Sequence, residues 1–166
     1  MILPKLMITD IDGVWTNGGM FYTEQGDVMK LFSVKDGWGV SMLRLYGIET
    51  VIMTGEQTDI VAQRANKLKI ERCFLGVKDK LQKAKELCNE LQISLKDVAF
   101  IGDDINDLRL LQAVGLSAAP ANAPHYVKSA VDIVTVSEGG NGAFREFVET
   151  ILVENGLFED ALKRLL

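Results

Sequence analysis

The chain predicts an α/β fold, a doubly wound and mainly parallel sheet with helices on both faces. Three observations carry that reading. Short apolar runs such as Leu6-Met7-Ile8, Thr50–Met53 and Val98–Ile101 recur along the chain, as strands buried on both faces do. Longer amphipathic stretches, with apolar residues three and four apart, separate them. Several of the apolar runs end in glycine and carboxylates, at the sheet edge where ligands bind in open α/β folds.

In chain order, Leu6-Met7-Ile8 is a first strand leading into Thr9-Asp10-Ile11-Asp12-Gly13. Met20–Thr23 and Val28–Phe32 form a hairpin around Glu24-Gln25-Gly26-Asp27, an insertion covering about residues 14–33. Asp36–Tyr46 is a helix stopped by Gly47, and Thr50–Met53 a strand ending in Thr54-Gly55-Glu56. Gln57–Leu68 is a helix with Ile60, Val61, Ala65 and Leu68 on one face, followed by a short strand at Cys73–Leu75. A helix over Asp79–Leu91 and a buried strand at Val98–Ile101 come next, the latter running into Gly102-Asp103-Asp104-Ile105-Asn106-Asp107. A helix through Leu111 and Val114 stops at Gly115, and Leu116–Ala119 is a strand. Pro124 suits the first turn of a further helix, and Ile133–Val136 closes the strands. The tail, about 139–166, opens with Gly139-Gly140-Asn141-Gly142 and continues in two helices.

The 166 residues, with an apolar fraction of 48%, suit one soluble domain spanning 1–166. A net charge of −5, with no basic run, argues against a nucleic-acid surface. It also sits badly with an anionic substrate unless cations gather locally, which a metal ion would do. Cys73 and Cys88 form no CxxC pair and read as reduced apolar residues. No apolar run is long enough to span a membrane and no secretory pattern opens the chain, which points to the cytoplasm. His125 has no metal-ligand partners in sequence, and Trp38 reads as a packed aromatic.

The chemistry concentrates at strand ends. Asp10 and Asp12 are two apart and share a face, where two like charges need a cation, a proton or a reacting centre. Thr54, then Lys80, then Asp103, Asp104 and Asp107 follow at or near other strand ends. In a parallel sheet they meet at one edge, where hard oxygen ligands suit Mg²⁺ and Lys80 and Thr54 suit a phosphate. A receiver-type signalling domain also groups acids, a threonine and a lysine, but its lysine follows a late strand. Here Lys80 precedes the Gly-Asp-Asp strand, which disfavours that reading.

Asp10-Ile11-Asp12-Gly13-Val14, Met53-Thr54-Gly55, Lys80 and Gly102-Asp103-Asp104-Ile105-Asn106-Asp107 resemble, in order, the four motifs of haloacid dehalogenase superfamily phosphatases. Thr16-Asn17-Gly18-Gly19, Val34-Lys35-Asp36-Gly37 and Gly139–Glu146 resemble the capless branch acting on 3-deoxy-D-manno-octulosonate 8-phosphate or related nine-carbon acid phosphates. The resemblance implies a Rossmann-like fold without a cap domain and a phosphomonoester hydrolase working through an aspartyl-phosphate. Asp10 would be the nucleophile and Asp12 the acid and base. Asp10, the Asp12 carbonyl and Asp103 would hold Mg²⁺, while Thr54, Gly55 and Lys80 would bind the phosphoryl oxygens. Asp104 and Asp107 would support that shell. A homotetramer with the hairpin at its interface is also implied, as is a tail able to reach an adjoining site; a plain connector before an amphipathic helix is the alternative for the tail.

One departure bears on substrate. Octulosonate phosphatases typically carry Thr-Gly-Arg where this chain has Thr54-Gly55-Glu56. An anion cannot keep a cation's contact with a sugar carboxylate. Glu56 suits sugar hydroxyls, and Arg64 or Lys67 on the following helix would supply the positive charge. The Glu form resembles the nine-carbon branch, so the reading leans to 2-keto-3-deoxynononate 9-phosphate. The alternative is the octulosonate phosphatase of lipopolysaccharide synthesis; a non-catalytic assembly module is disfavoured by the intact acidic motifs.

Overall fold

The computed structural model describes residues 1–166. Six strands form one parallel sheet: β1 (Leu6–Thr9), β4 (Glu49–Met53), β5 (Arg72–Phe74), β6 (Val98–Ile101), β7 (Leu116–Ala119) and β8 (Ile133–Val134). Their spatial order is β5-β4-β1-β6-β7-β8, which puts β1 at the centre, hydrogen-bonded to β4 and β6. Strands β2 (Phe21–Thr23) and β3 (Gly26–Met29) pair antiparallel as a separate hairpin between β1 and the first helix. No helical cap is inserted there or elsewhere.

Side-chain alternation divides the core. Met7, Ile52 and Ala99 face helices α1 (Lys35–Leu45), α2 (Asp59–Lys67), α6 (Ala143–Glu154) and α7 (Phe158–Leu165). Leu6, Ile8, Val51 and Phe100 face α3 (Lys80–Leu91), α4 (Leu108–Leu111) and α5 (His125–Lys128). With helices on both faces, the central strands expose only their ends, so polar residues collect at the carboxyl edge. No helix is long and apolar enough to cross a membrane.

The hairpin differs from its sequence reading. Thr23 pairs with Gly26 across a tight Glu24-Gln25 turn, and β3 ends at Met29 rather than Phe32. Gly26 has φ +110°, a backbone state that tolerates little but glycine and so starts the return strand early. Residues Lys30–Phe32 leave the ladder and run back toward the sheet. Strand β8 is also shorter than expected, two residues; just past it the Thr135 N–H still donates to Ala119 O of β7 at 2.9 Å while its hydroxyl donates to the Ser137 carbonyl at 2.7 Å. Pro124 caps α5 from just outside rather than sitting in its first turn.

The glycine run of the tail packs on its own chain. The Gly140 N–H donates to Val14 O at 2.9 Å, and the Gly139 N–H to Asn122 Oδ1 at 2.9 Å. Arg145 pairs with Glu149 along α6 at 2.6 Å. Within one chain the segment behaves as an ordered connector before an amphipathic helix.

Candidate active site

Strand β1 delivers Asp10 to the centre of the carboxyl edge, where its N–H donates to Ile101 O of β6 at 3.0 Å. Beneath it, Trp15 Nε1 donates to Thr9 Oγ1 at 2.9 Å, and that hydroxyl donates to Asp10 O at 2.7 Å. The backbone carrying the acid is thus fixed from inside the core. Gly13 turns the chain away with φ +86°, and a Cβ there would collide with the Asp103 carboxylate. Only glycine lets the loop after β1 and the loop after β6 approach so closely.

Asp79 caps α3 by accepting from the Gln82 N–H at 3.0 Å, which makes Lys80 the first helical residue. The Lys80 side chain is 1% exposed and its ammonium bridges two acids, Asp10 Oδ1 at 2.9 Å and Asp107 Oδ1 at 2.6 Å. The other oxygen of Asp107 accepts from the Asp103 N–H at 3.0 Å and the Asp104 N–H at 3.4 Å. Asp107 is therefore spent on holding Lys80 and the loop after β6. Tyr126 donates to Asp104 Oδ1 at 2.6 Å from the outer side.

Carboxylate oxygens of Asp10, Asp103 and Asp107 all lie within 4.8 Å of one another. Burial, and then the Asp107 charge, raise the Asp10 carboxyl far above the usual carboxylate range, against the pull of Lys80. Asp103 is pushed up to about 7 by burial and then by Asp107 and Asp104. Burial works against the Lys80 ammonium, yet Asp10 and Asp107 outweigh it and hold its pKa above the ordinary lysine value. One lysine does not balance three close acids. Such a deficit among hard oxygen donors fits a divalent cation.

The open cleft above this cluster, about 250 Å³, is lined by Asp10, Asp12, Gly13, Gly18, Thr54, Gly55, Glu56, Asp103, Asp104 and Asn106. Thr54 Oγ1 accepts from the Glu56 N–H at 3.2 Å, which leaves its own proton free to donate. Asp12 is turned aside: its Oδ1 accepts from Lys30 Nζ at 2.7 Å, while Oδ2 has no hydrogen-bond partner.

The structure brings nine of the eleven sequence-derived site positions together. Asp10, Asp12, Thr54, Gly55, Glu56, Asp103 and Asp104 come together at the cleft, with Lys80 and Asp107 directly beneath. Arg64 is not brought there: its Nη2 donates to Ser33 O at 3.0 Å and its guanidinium lies 5.7 Å from the Phe32 ring centre. Lys67 is exposed on the last turn of α2 and is likewise absent from the cleft lining. His125 is exposed, Cys73 and Cys88 are free, and Trp38 is half exposed at 49%. Gly18 and Asn106 stand inside motifs legible in the sequence but carry no role there, and Lys30 is missed altogether; the one signal for Lys30 is a charge set inside the apolar run Val28–Phe32.

A family model described as haloacid dehalogenase-like hydrolase matches residues 76–147. The octulosonate 8-phosphate phosphatase KdsC of Haemophilus influenzae is 40% identical over 152 residues, covering 92% of this chain and 84% of that protein. The chain belongs to the haloacid dehalogenase-like hydrolases. Its enzymatic class is that of these relatives, a phosphatase. Among solved structures, the cobalt-bound phosphatase of Haemophilus influenzae superposes with a TM-score of 0.90 at 39% identity, covering 93% of this chain and 91% of that one. The octulosonate 8-phosphate phosphatase of Moraxella catarrhalis, in complex with magnesium, phosphate and KDO, gives 0.93 at 34% identity, covering 98% and 94%. These relatives are named for the eight-carbon acid phosphate, so the comparisons give the lean to a nine-carbon substrate no support.

Proposed function

We propose that this hydrolase is a Mg²⁺-dependent phosphatase of a 2-keto-3-deoxy sugar acid phosphate, with 3-deoxy-D-manno-octulosonate 8-phosphate as its substrate. The observation that carries the reading is the meeting of Asp10, Asp103 and Lys80 beneath a polar cleft rimmed by Thr54 and Gly55. The relatives' printed substrate, and the magnesium and phosphate bound by one of them, support the same conclusion.

Asp10 and Asp103, with the Asp12 backbone carbonyl, would hold the ion. A bound Mg²⁺ supplies positive charge that lets Asp10 stay ionised and that offsets the phosphoryl charge. Asp10 attacks phosphorus, forming the aspartyl-phosphate as the bond to the sugar oxygen breaks. Asp12 gives a proton to that leaving oxygen and then takes one from the water that cleaves the acyl-phosphate. Lys80 has two donors on Asp10 and Asp107 and a third for a phosphoryl oxygen. The Thr54 hydroxyl donates to another. Asp107 keeps Lys80 aimed, and Asp104 steadies the loop.

The hairpin supports assembly. Phe21, Tyr22, Met29 and Leu31 are between 50% and 70% exposed, an apolar surface unusual for a lone domain. We assign them to contacts between copies in a homotetramer, with each chain, 1–166, a single domain. Light scattering at micromolar concentration checks this, and a monomeric mass contradicts it.

One observation favours a second substrate. Glu56 lines the cleft and pairs with no cation in this chain. An ionised acid there accepts from sugar hydroxyls, of which a nine-carbon acid phosphate offers one more than the eight-carbon acid phosphate. Turnover of the eight- and nine-carbon phosphates side by side, with Mg²⁺, decides. Faster octulosonate 8-phosphate cleavage is expected; faster nine-carbon cleavage hands the assignment to Glu56, and cleavage of neither rejects the substrate class.

A further inference from the structure

Lys30 stands just past the end of β3, where the hairpin returns to the sheet. Its side chain is 0% exposed although its neighbours Met29 and Leu31 are among the most exposed apolar residues of the chain. Its ammonium donates to Asp12 Oδ1 at 2.7 Å and lies 3.3 Å from Asp27 Oδ2, three residues earlier in β3. Thr16 Oγ1 adds a weaker contact to the same Asp12 oxygen at 3.4 Å. Both contacts fall on Oδ1, and Oδ2 is left without a partner.

A buried lysine loses rotamer freedom and hydration, and an apolar residue in its place would satisfy the hairpin at lower cost. What the ammonium adds is a fixed direction for one carboxylate. We propose that Lys30 is the positioning residue of Asp12, anchoring it by Oδ1 so that Oδ2 is the oxygen that serves the leaving group. This rests on the reading of Asp12 as the acid of the first step. The hairpin thereby takes part in the chemistry: the segment that offers an apolar face outward also reaches inward to orient the acid. Asp27 completes the device by holding the ammonium from the hairpin side.

A structural ion pair and a positioning contact separate by leaving group. An alkoxide needs a proton as it departs, whereas p-nitrophenolate departs without one. The experiment measures kcat/KM, which reports the first step alone, for octulosonate 8-phosphate and p-nitrophenyl phosphate with Mg²⁺. The proteins are full-length wild type, Lys30→Met, Lys30→Arg and Asp12→Asn. Lys30→Met is expected to lose about 30- to 100-fold on the sugar phosphate, at or below the lower end of the roughly 100- to 10,000-fold a general acid supplies because Asp12 itself remains, and less than about 3-fold on the aryl phosphate, with Lys30→Arg recovering most of the loss. Equal losses on both substrates in Lys30→Met, or none on either, overturn the proposal, and Lys30→Gln, which removes the charge but keeps a polar end, serves the same comparison should Lys30→Met not fold. Asp12→Asn separates the two claims. If it shows the leaving-group contrast and the Lys30 variants do not, the positioning role alone fails. If Asp12→Asn shows no contrast, the reading of Asp12 fails and the proposal falls with it.

Discussion

On the sheet side of the cleft, Asp10, Lys80 and Asp107 are buried and joined at 2.9 and 2.6 Å. On the hairpin side, two short strands hold one buried lysine and leave Phe21, Tyr22, Met29 and Leu31 in the open. The first region is built by the core: β1, β6 and the capped start of α3 cannot move without disturbing packing on both faces. The second has almost no core of its own, and a two-stranded hairpin is marginal in isolation. The contrast separates two jobs. Charge that must stay fixed sits on the sheet, while parts that orient a proton donor and meet other surfaces sit on the insertion.

The largest way to break this contrast is Lys80→Met. It leaves Asp10 and Asp107 facing each other without their cation, and removing one partner of a buried pair costs about 3–5 kcal/mol. Thermal unfolding without metal is expected to show a deeper loss at pH 8 than at pH 5, where the raised carboxyls of Asp10 and Asp103 take up protons. A similar loss in Leu31→Asp would erase the distinction between the regions.

Mg²⁺ tests the sheet side from the ligand's direction. Saturating ion, at about a hundred times its dissociation constant, is expected to add about 2.7 kcal/mol of stability. Unchanged melting with and without chelator contradicts the Asp10–Asp103 assignment.

Asp36 lies at the joint, fully buried at the start of α1 where the hairpin segment enters the helix. Its Oδ1 accepts from the Arg145 N–H at 3.2 Å and Oδ2 has no partner, and burial pushes its pKa up to about 6. The folded state thus holds this proton longer than the unfolded chain, whose aspartate titrates near 3.9. Its contribution is intact below about pH 4 and is lost as pH rises through about 6. Melting of Asp36→Asn relative to wild type is expected to improve by about 2 kcal/mol between pH 4 and 7.5. A flat difference contradicts the assignment.

The smallest folding effect belongs to the hairpin's outer face. Leu31→Asp is expected to change chain stability by less than about 0.5 kcal/mol while lowering the mass seen by light scattering. Retained assembly would move the interface elsewhere.

How far the sequence discloses this arrangement follows the range of the forces involved. Buried runs such as Val98–Ile101 and the acids at their ends are local patterns, and the parallel sheet then brings Asp10 and Asp103 together without further information. Lys80 is legible through its place at a helix start. The hairpin register is not, because a positive φ at Gly26 moves the return strand by two residues. Nor is Lys30: its partner lies 18 positions away and is reached only because the chain leaves the ladder after Met29. Arg64 is a different case: helical spacing offers a cation, and within one chain that cation lies against Ser33 and Phe32 rather than in the cleft lining.

Asp10, as the group that receives phosphate, is the residue on which the proposed chemistry turns. Wild type and Asp10→Asn should be compared for Mg²⁺-dependent release of phosphate from octulosonate 8-phosphate, with both proteins checked for native melting. The expected result is steady turnover by wild type and a loss of at least about a thousandfold, some 4 kcal/mol of barrier, in the variant. Full activity in Asp10→Asn would contradict it.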